Sequence, residues 1–349
     1  MRLEHIATRR RFLRKSLAGF VGFSTESLRD TLRSRHDSFE AVGVPPRSRV
    51  TVACDPQLRS HLSGSLSQHI GLDSARLVRL LDIAVTNLFN TAAAQAWASV
   101  VHSGQRVGIK VNTLGGRGLS SSVQLVEAIC ECLQRAGVRA QDIVIWDRDT
   151  DELRRAGFRI HAGGDQVQCF GTDRVGFEDD LASFGSVGSQ LSKILTQLCD
   201  VLINVPVLKD HDGAGVSISL KNMYGVIHNP NKYHPNGCNP YVADVNMLPD
   251  IRGRLRLHIC DAINACYEGG PALKPEFTWQ ANTLLVSQDP VALDTIGWQM
   301  IEHKRAEEGL KPLAAEGRAP RYIETAADRD HHLGNHDRNH IDVVEAQLA

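Results

Sequence analysis

Between residues 209 and 234 the chain carries Lys209, His211, Lys221, Asn222, His228, Lys232 and His234, interleaved with Gly213, Gly215 and Gly225. Lysines bring fixed positive charge and histidines titrate near neutrality, so the pair Lys209 and His211 suits anion binding coupled to proton transfer. The same donors suit the carboxylates or phosphates of a cofactor. Metal ligation is the other chemistry, with His211, His228 and His234 as nitrogen ligands and Asp212 or Asp261 as oxygen ligands. Their spacing matches no standard metal site. An ordinary solvated loop is the competing reading, since connecting segments are polar whether or not they work.

The run that must position these groups comes just before them. Val201, Leu202, Ile203 and Val205 form a short apolar stretch of the kind buried in a sheet, and Pro206 is expected to end it. In an open α/β sheet, polar groups directly after a buried strand line the ligand crevice. Residues 49–54, 106–112, 143–146, 256–261, 283–286 and 341–344 read as further strands. Helices are expected over 123–136, 190–198, 290–303 and 322–328, and over 74–101 as one long helix or a broken pair. Strands alternating with helices imply an α/β fold, a mostly parallel sheet with helices on both faces, arranged as a Rossmann-like three-layer sandwich. This domain is assigned residues 46–349, after an extension over 1–45.

That frame brings in more candidates. Lys110 and Asn112 close the strand-like VGIKVN, where an unpaired lysine is costly to bury, so Lys110 is expected at the crevice or against a carboxylate. Lys110, Asn112, Asn222 and Gly225 form the candidate cofactor-binding set. Asp147, Asp261 and Asp289 fall at strand ends or helix starts. Asp289, before Pro290, reads as a helix cap. Asp261 reads as a base, a metal ligand or a partner for Lys209 or Lys221, and joins Lys209, His211 and Lys221 as the candidate catalytic set. The glycine-rich residues 114–118 sit between a strand and a helix as phosphate loops do, with Ser120 or Ser121 to cap that helix, but they match neither common nucleotide fingerprint.

Composition removes several function classes. The net charge of -1 over 349 residues gives no basis for a nucleic-acid partner. No run of eighteen apolar residues suggests a transmembrane helix. Eight cysteines without any C-x-x-C exclude the usual zinc knuckle and the ferredoxin-type cluster run. Cys238, in a polar Asn-Gly-Cys-Asn context, is the thiol expected to react. His331, His332, His336 and His340 read as a solvated loop rather than a metal site.

The segment from Thr8 to Lys15, TRRRFLRK, followed by the apolar residues 16–23, resembles a twin-arginine export signal. That implies transport of the folded chain by the twin-arginine machinery to the periplasm. A basic amphipathic helix on a membrane surface, in a cytoplasmic or membrane-associated protein, is the alternative.

Together VGIKVN, CDVLINVPVLKDH, GVSISLKNMYGVIH, HICDAINACYEGGP and LLVSQDPVALD, with the terminal GNHDRNHIDVVE, resemble the domain-of-unknown-function 362 family of bacteria and archaea. The resemblance implies an α/β domain that is sometimes fused to ferredoxin-like iron–sulfur modules. It also implies that Lys209, His211, Lys221 and Asn222 are the family's K-x-H and K-N elements. The expectation is an exported enzyme of the redox or isomerase type acting on a small anionic substrate or cofactor, with a metal ion or metal-containing organic cofactor and an iron–sulfur redox partner. The alternative is a non-catalytic carrier of a metal or organic anion.

Overall fold

The computed structural model describes residues 45–60 and 71–348, so the twin-arginine-like segment at residues 8–23 lies outside the described residues. Eleven strands join in one sheet. They are β1 (Ser48–Cys54), β2 (Val107–Val111), β3 (Ile143–Trp146), β4 (Gln168–Cys169), β5 (Val201–Val205), β6 (Val207–His211), β7 (Gly215–Ser217), β8 (Leu255–Cys266), β9 (Thr278–Trp279), β10 (Thr283–Ser287) and β11 (Ile341–Gln347). The spatial order is β11-β1-β10-β8-β5-β2-β3-β4, with β6 and β9 also on β8, and β7 on β6. Along that path every neighbouring pair is parallel except the two made by β10.

Strand alternation divides the core between two faces. Val201, Ile203 and Val205 of β5 pack with α1 (Ser74–Phe89), α2 (Ala93–Ala98) and α3 (Val123–Arg135). Leu202 faces the opposite layer. That layer is built chiefly from α5 (Lys193–Leu198), α6 (Ser219–Asn222), α7 (Tyr241–Met247), α8 (Pro249–Arg254), α9 (Pro290–Glu307) and α10 (Arg321–Ala326), whereas α4 (Thr150–Ala156) packs on the side of α1–α3 through Leu153 and Ala156. The expected three-layer α/β sandwich with a mostly parallel sheet is therefore the observed fold. Of the two readings of 74–101 the broken pair is the one found, and the break falls at Asn90, whose φ of 51° ends α1 in the left-handed region. Asp289 caps α9, its carboxylate accepting from the Val291 and Ala292 amides.

Two expectations need correction. The polar segment after Pro206 is not a loop but the buried strand β6, in which Lys209 has no exposed surface. The twelve-residue β8 explains this, pairing first with β5 and then, beyond a register shift, with β6. Pro206 has no N–H for the ladder, but its carbonyl accepts the Asp261 amide at 2.8 Å, so the chain crosses from one half of β8 to the other. His331 is not solvated either. It is buried with Nε2 3.0 Å from Asp244 and Nδ1 2.8 Å from Asp328, tying the C-terminal segment to α7. Among the described residues no helix is long and apolar enough to cross a membrane.

Candidate functional site

Register assembles the floor of the site. Trp146 pairs with Lys110, Lys110 with Asn204, and Asn204 with His258, so four neighbouring strands present these side chains in one row on one face. Above the row, α6 brings Lys221 and Asn222, and β6 brings Lys209 and His211. A cavity of about 400 Å³ opens between them, lined by Lys110, Asn112, Asp147, His211, Lys221, Asn222 and His234 among others.

The expected pairing of Lys110 with a carboxylate is present, since Nζ lies 2.7 Å from Asp147 Oδ1 and both residues are buried. Burial alone would raise the Asp147 carboxyl. The charge and hydrogen bond of Lys110, with donors from Thr113 and the Arg148 amide, hold it below the usual carboxylate value. Gly225 makes room for this pair, because a Cβ there would lie 2.6 Å from Lys110 Nζ and 2.9 Å from Asp147 Oδ1. Gly225→Ala is expected to cost about 1–3 kcal/mol through overpacking against an ion pair that has nowhere to move. Urea denaturation checks this, and an unchanged midpoint would show that the pair can shift.

Three asparagine amides run beneath the cavity. Lys209 Nζ donates to Asn112 Oδ1 at 2.7 Å, Asn112 Nδ2 to Asn222 Oδ1 at 3.0 Å, and Asn222 Nδ2 to Asn204 Oδ1 at 2.7 Å. Asn204 Nδ2 then donates to the Ser219 carbonyl, and the Ser219 hydroxyl meets His258 Nδ1. Each amide presents its oxygen toward the lysine, so the row of dipoles favours positive charge at Lys209. Burial works against that charge, and with the neighbouring Lys221 it pushes the Lys209 amine down to about 8.

His211 and His234 are held in defined tautomers. His211 Nδ1 accepts from the Gly213 and Ala214 amides at 3.1 and 3.2 Å, which leaves Nε2 to carry the proton as a donor. Burial, then the charges of Lys221 and its neighbours, push the His211 ring down to about 2. It is thus a neutral hydrogen-bond donor at ordinary pH, not the near-neutral titrating group its type suggests. His234 Nδ1 donates to the Pro230 carbonyl at 3.2 Å, so its Nε2 lone pair faces Lys221 Nζ, also at 3.2 Å. The two rings stack with centroids 5.8 Å apart. Burial lowers the Lys221 amine, whose Nζ sits 4.7 Å from the Tyr224 ring centroid.

The structure therefore brings together Lys110, Asn112, Lys209, His211, Lys221, Asn222, Gly225 and His234. It does not bring Asp261 or His228 to them. Asp261 falls on the opposite side of β8 by strand alternation, with Leu257, Ile259 and Ile263, where its carboxylate accepts from the Ser122 and Ile263 amides. It serves the start of α3, so the helix cap expected from Ser120 or Ser121 is not needed. His228 packs edge-on against Phe177. The three histidines thus form no ligand set, and among the described residues no three His, Cys, Asp or Glu side chains are placed to hold a metal ion. Cys238 is fully buried, and burial raises its thiol, which is the reverse of an activated nucleophile.

Asn204, Ser219 and His258 did not stand out in the sequence. A signal was present for Asn204, a lone amide inside a run buried on both faces, which must find a partner there. The family described as a domain of unknown function (DUF362) matches residues 107–299, which contain every residue of this site. No curated protein matches the chain.

Proposed function

Since the chain belongs to the domain-of-unknown-function family DUF362, which carries no named reaction, we propose from its site that it is an enzyme that binds a small organic anion and moves a proton on it. The observation that carries this reading is a pair of buried lysine amines, Lys209 and Lys221. Neither has a carboxylate within ion-pair distance among the described residues. A buried charge without a counter-charge is costly, and a ligand carboxylate entering the cavity offsets that cost. Arg148 does not compete for this role, being paired with Glu152 at 2.8 Å.

Proton transfer, rather than carriage, is favoured by how the site's groups are prepared. Burial lowers the proton affinity of the Lys221 amine, which makes the free-base form more accessible than in an exposed lysine. A neutral imidazole fixed as an Nε2–H donor suits the oxygen of an enolate or enediolate that forms when a proton leaves the adjacent carbon. In this reading Lys221 takes the proton, His211 donates to the oxygen, and Lys209 supplies the field that seats the anion. A carrier needs only the charges, not the two fixed tautomers.

The test is solvent deuterium wash-in at the carbon next to the carboxylate, followed by NMR over a panel of 2-hydroxy and 2-oxo acids, alongside calorimetric binding. His211→Ala is expected to slow exchange by about a hundredfold or more while binding changes by less than about tenfold. Loss of binding in that variant, with no exchange in the wild type, would instead establish the carrier.

A further inference from the structure

The arrangement around Lys221 goes further than a base. Nζ lines the cavity, its neighbour His234 offers a lone pair at 3.2 Å, and the Pro230 carbonyl orients that imidazole. This is the logic of an activated nucleophile, in which an attacking group is paired with a base that a third group holds in place. His211, whose Nε2 carries the proton, lines the same cavity. Neither other buried lysine of the site fits the role. Lys110 is held by Asp147, and Lys209 has no exposed surface.

We propose that Lys221 captures the carbonyl of an anionic oxo acid as a Schiff base. This goes beyond the reading above, giving Lys221 the role of nucleophile in place of base, and rests on the same anion seat. In the step, the neutral amine's lone pair forms the N–C bond as the carbonyl π pair moves onto oxygen, which is hydrogen-bonded by His211. His234 Nε2 receives a proton from Nζ and returns it to that oxygen. With the second amine proton the oxygen leaves as water and C=N forms, so one amine and one carbonyl give one imine and one water, without an oxidant or reductant. His234 is partly exposed and can exchange its proton with solvent. The lowered proton affinity of Lys221, which burial causes, raises the share of free amine available for attack.

The experiment treats the full chain separately with glyoxylate, pyruvate and pyridoxal 5′-phosphate in the presence of cyanoborohydride, which reduces an imine to a stable secondary amine. Intact mass and peptide mapping then locate the adduct, and calorimetry with oxalate, an anion without an aldehyde or ketone, reports the seat on its own. We expect modification at Lys221 about tenfold or more faster than at the exposed Lys232, suppressed by excess oxalate and slowed in His234→Ala. Lys221→Arg should remove the adduct, whereas Lys232→Arg should not. Because oxalate competition uses the wild-type chain, the result stands even if a variant folds poorly. Oxalate binding with adducts only on exposed lysines would overturn the Schiff base and leave the anion seat standing. Failure of oxalate to bind, together with an unmodified Lys221, would overturn both.

Discussion

Asp147→Ala is expected to lower the stability of the protein by about 3–5 kcal/mol, the penalty for leaving a buried partner charge uncompensated. Lys110 is 1% exposed, and its ammonium otherwise reaches the Val111 carbonyl, Asn222 Oδ1 at 3.5 Å and the face of the Trp146 ring, 5.8 Å from its centroid, none of which carries a charge. Asp147 also holds the Thr113 amide and hydroxyl, so its removal leaves further buried donors without their partner. Lys110→Met alone should cost a similar amount, since the carboxylate is then the stranded charge. The double variant Lys110→Met, Asp147→Leu should recover much of the loss, because replacing a whole buried pair with apolar groups is often neutral. The pH dependence has a definite sign. The Asp147 carboxyl is held below its ordinary value of about 3.9, so its contribution is present above about pH 4 and disappears as pH falls through the lower folded value. Urea denaturation of the four proteins across pH provides the check. A loss below about 1 kcal/mol in both single variants would mean that water reaches the pair and the site is wetter than its burial indicates.

Which parts of this site could be read from sequence follows from the range of the interactions that form it. The strand at 201–205, the strand end at Lys110 and Asn112, the helix cap at Asp289 and the K-N element are all local patterns, and each is found where expected. Two of the errors, the loop expected after Pro206 and the face of Asp261, share one source in β8. Its length lets one strand serve two partners, so the chain that Pro206 breaks after Val205 resumes at once as a second strand, β6, instead of a loop. For the same reason Asp261 sits mid-strand, where alternation alone decides its face and turns it away from the lysines. Nothing within ten residues of Pro206 or Asp261 specifies a pairing that spans some fifty residues of chain. The behaviour of His211 was hidden differently. Its type suggests a group that titrates near neutrality, but two backbone amides on Nδ1, burial and the adjacent cations remove that behaviour. Those contacts exist only once the β6–β7 hairpin has closed.

Lys209→Met is expected to stabilise the empty protein near neutral pH while weakening anion binding by about tenfold, the scale of one buried charge acting on the seat through its field without touching the ligand. The ammonium has three donors and, among the described residues, one hydrogen-bond partner, Asn112, so its charge is poorly repaid. Its fall from 10.5 to about 8 corresponds to about 3 kcal/mol borne by the protonated folded state. The folded value lies below the unfolded one, so between about pH 8 and 10.5 the unfolded chain holds more protons and stability rises with pH; below about 8 the full penalty applies. An anion in the cavity acts in the opposite sense. It binds the charged form, stabilises the fold by mass action, and loses its hold as pH rises through about 8. Melting temperatures with and without oxalate, taken on both sides of pH 8 for wild type and variant, separate these effects. The wild type should show an oxalate shift that is large below pH 8 and small above it, and the variant a higher baseline with a small shift at every pH. A variant less stable than wild type that still binds oxalate equally would make Lys209 a prop for Asn112 and remove it from the anion seat. The trade is physically coherent only if the charge is kept for a ligand, since a methionine of similar length would otherwise fill the same space at lower cost.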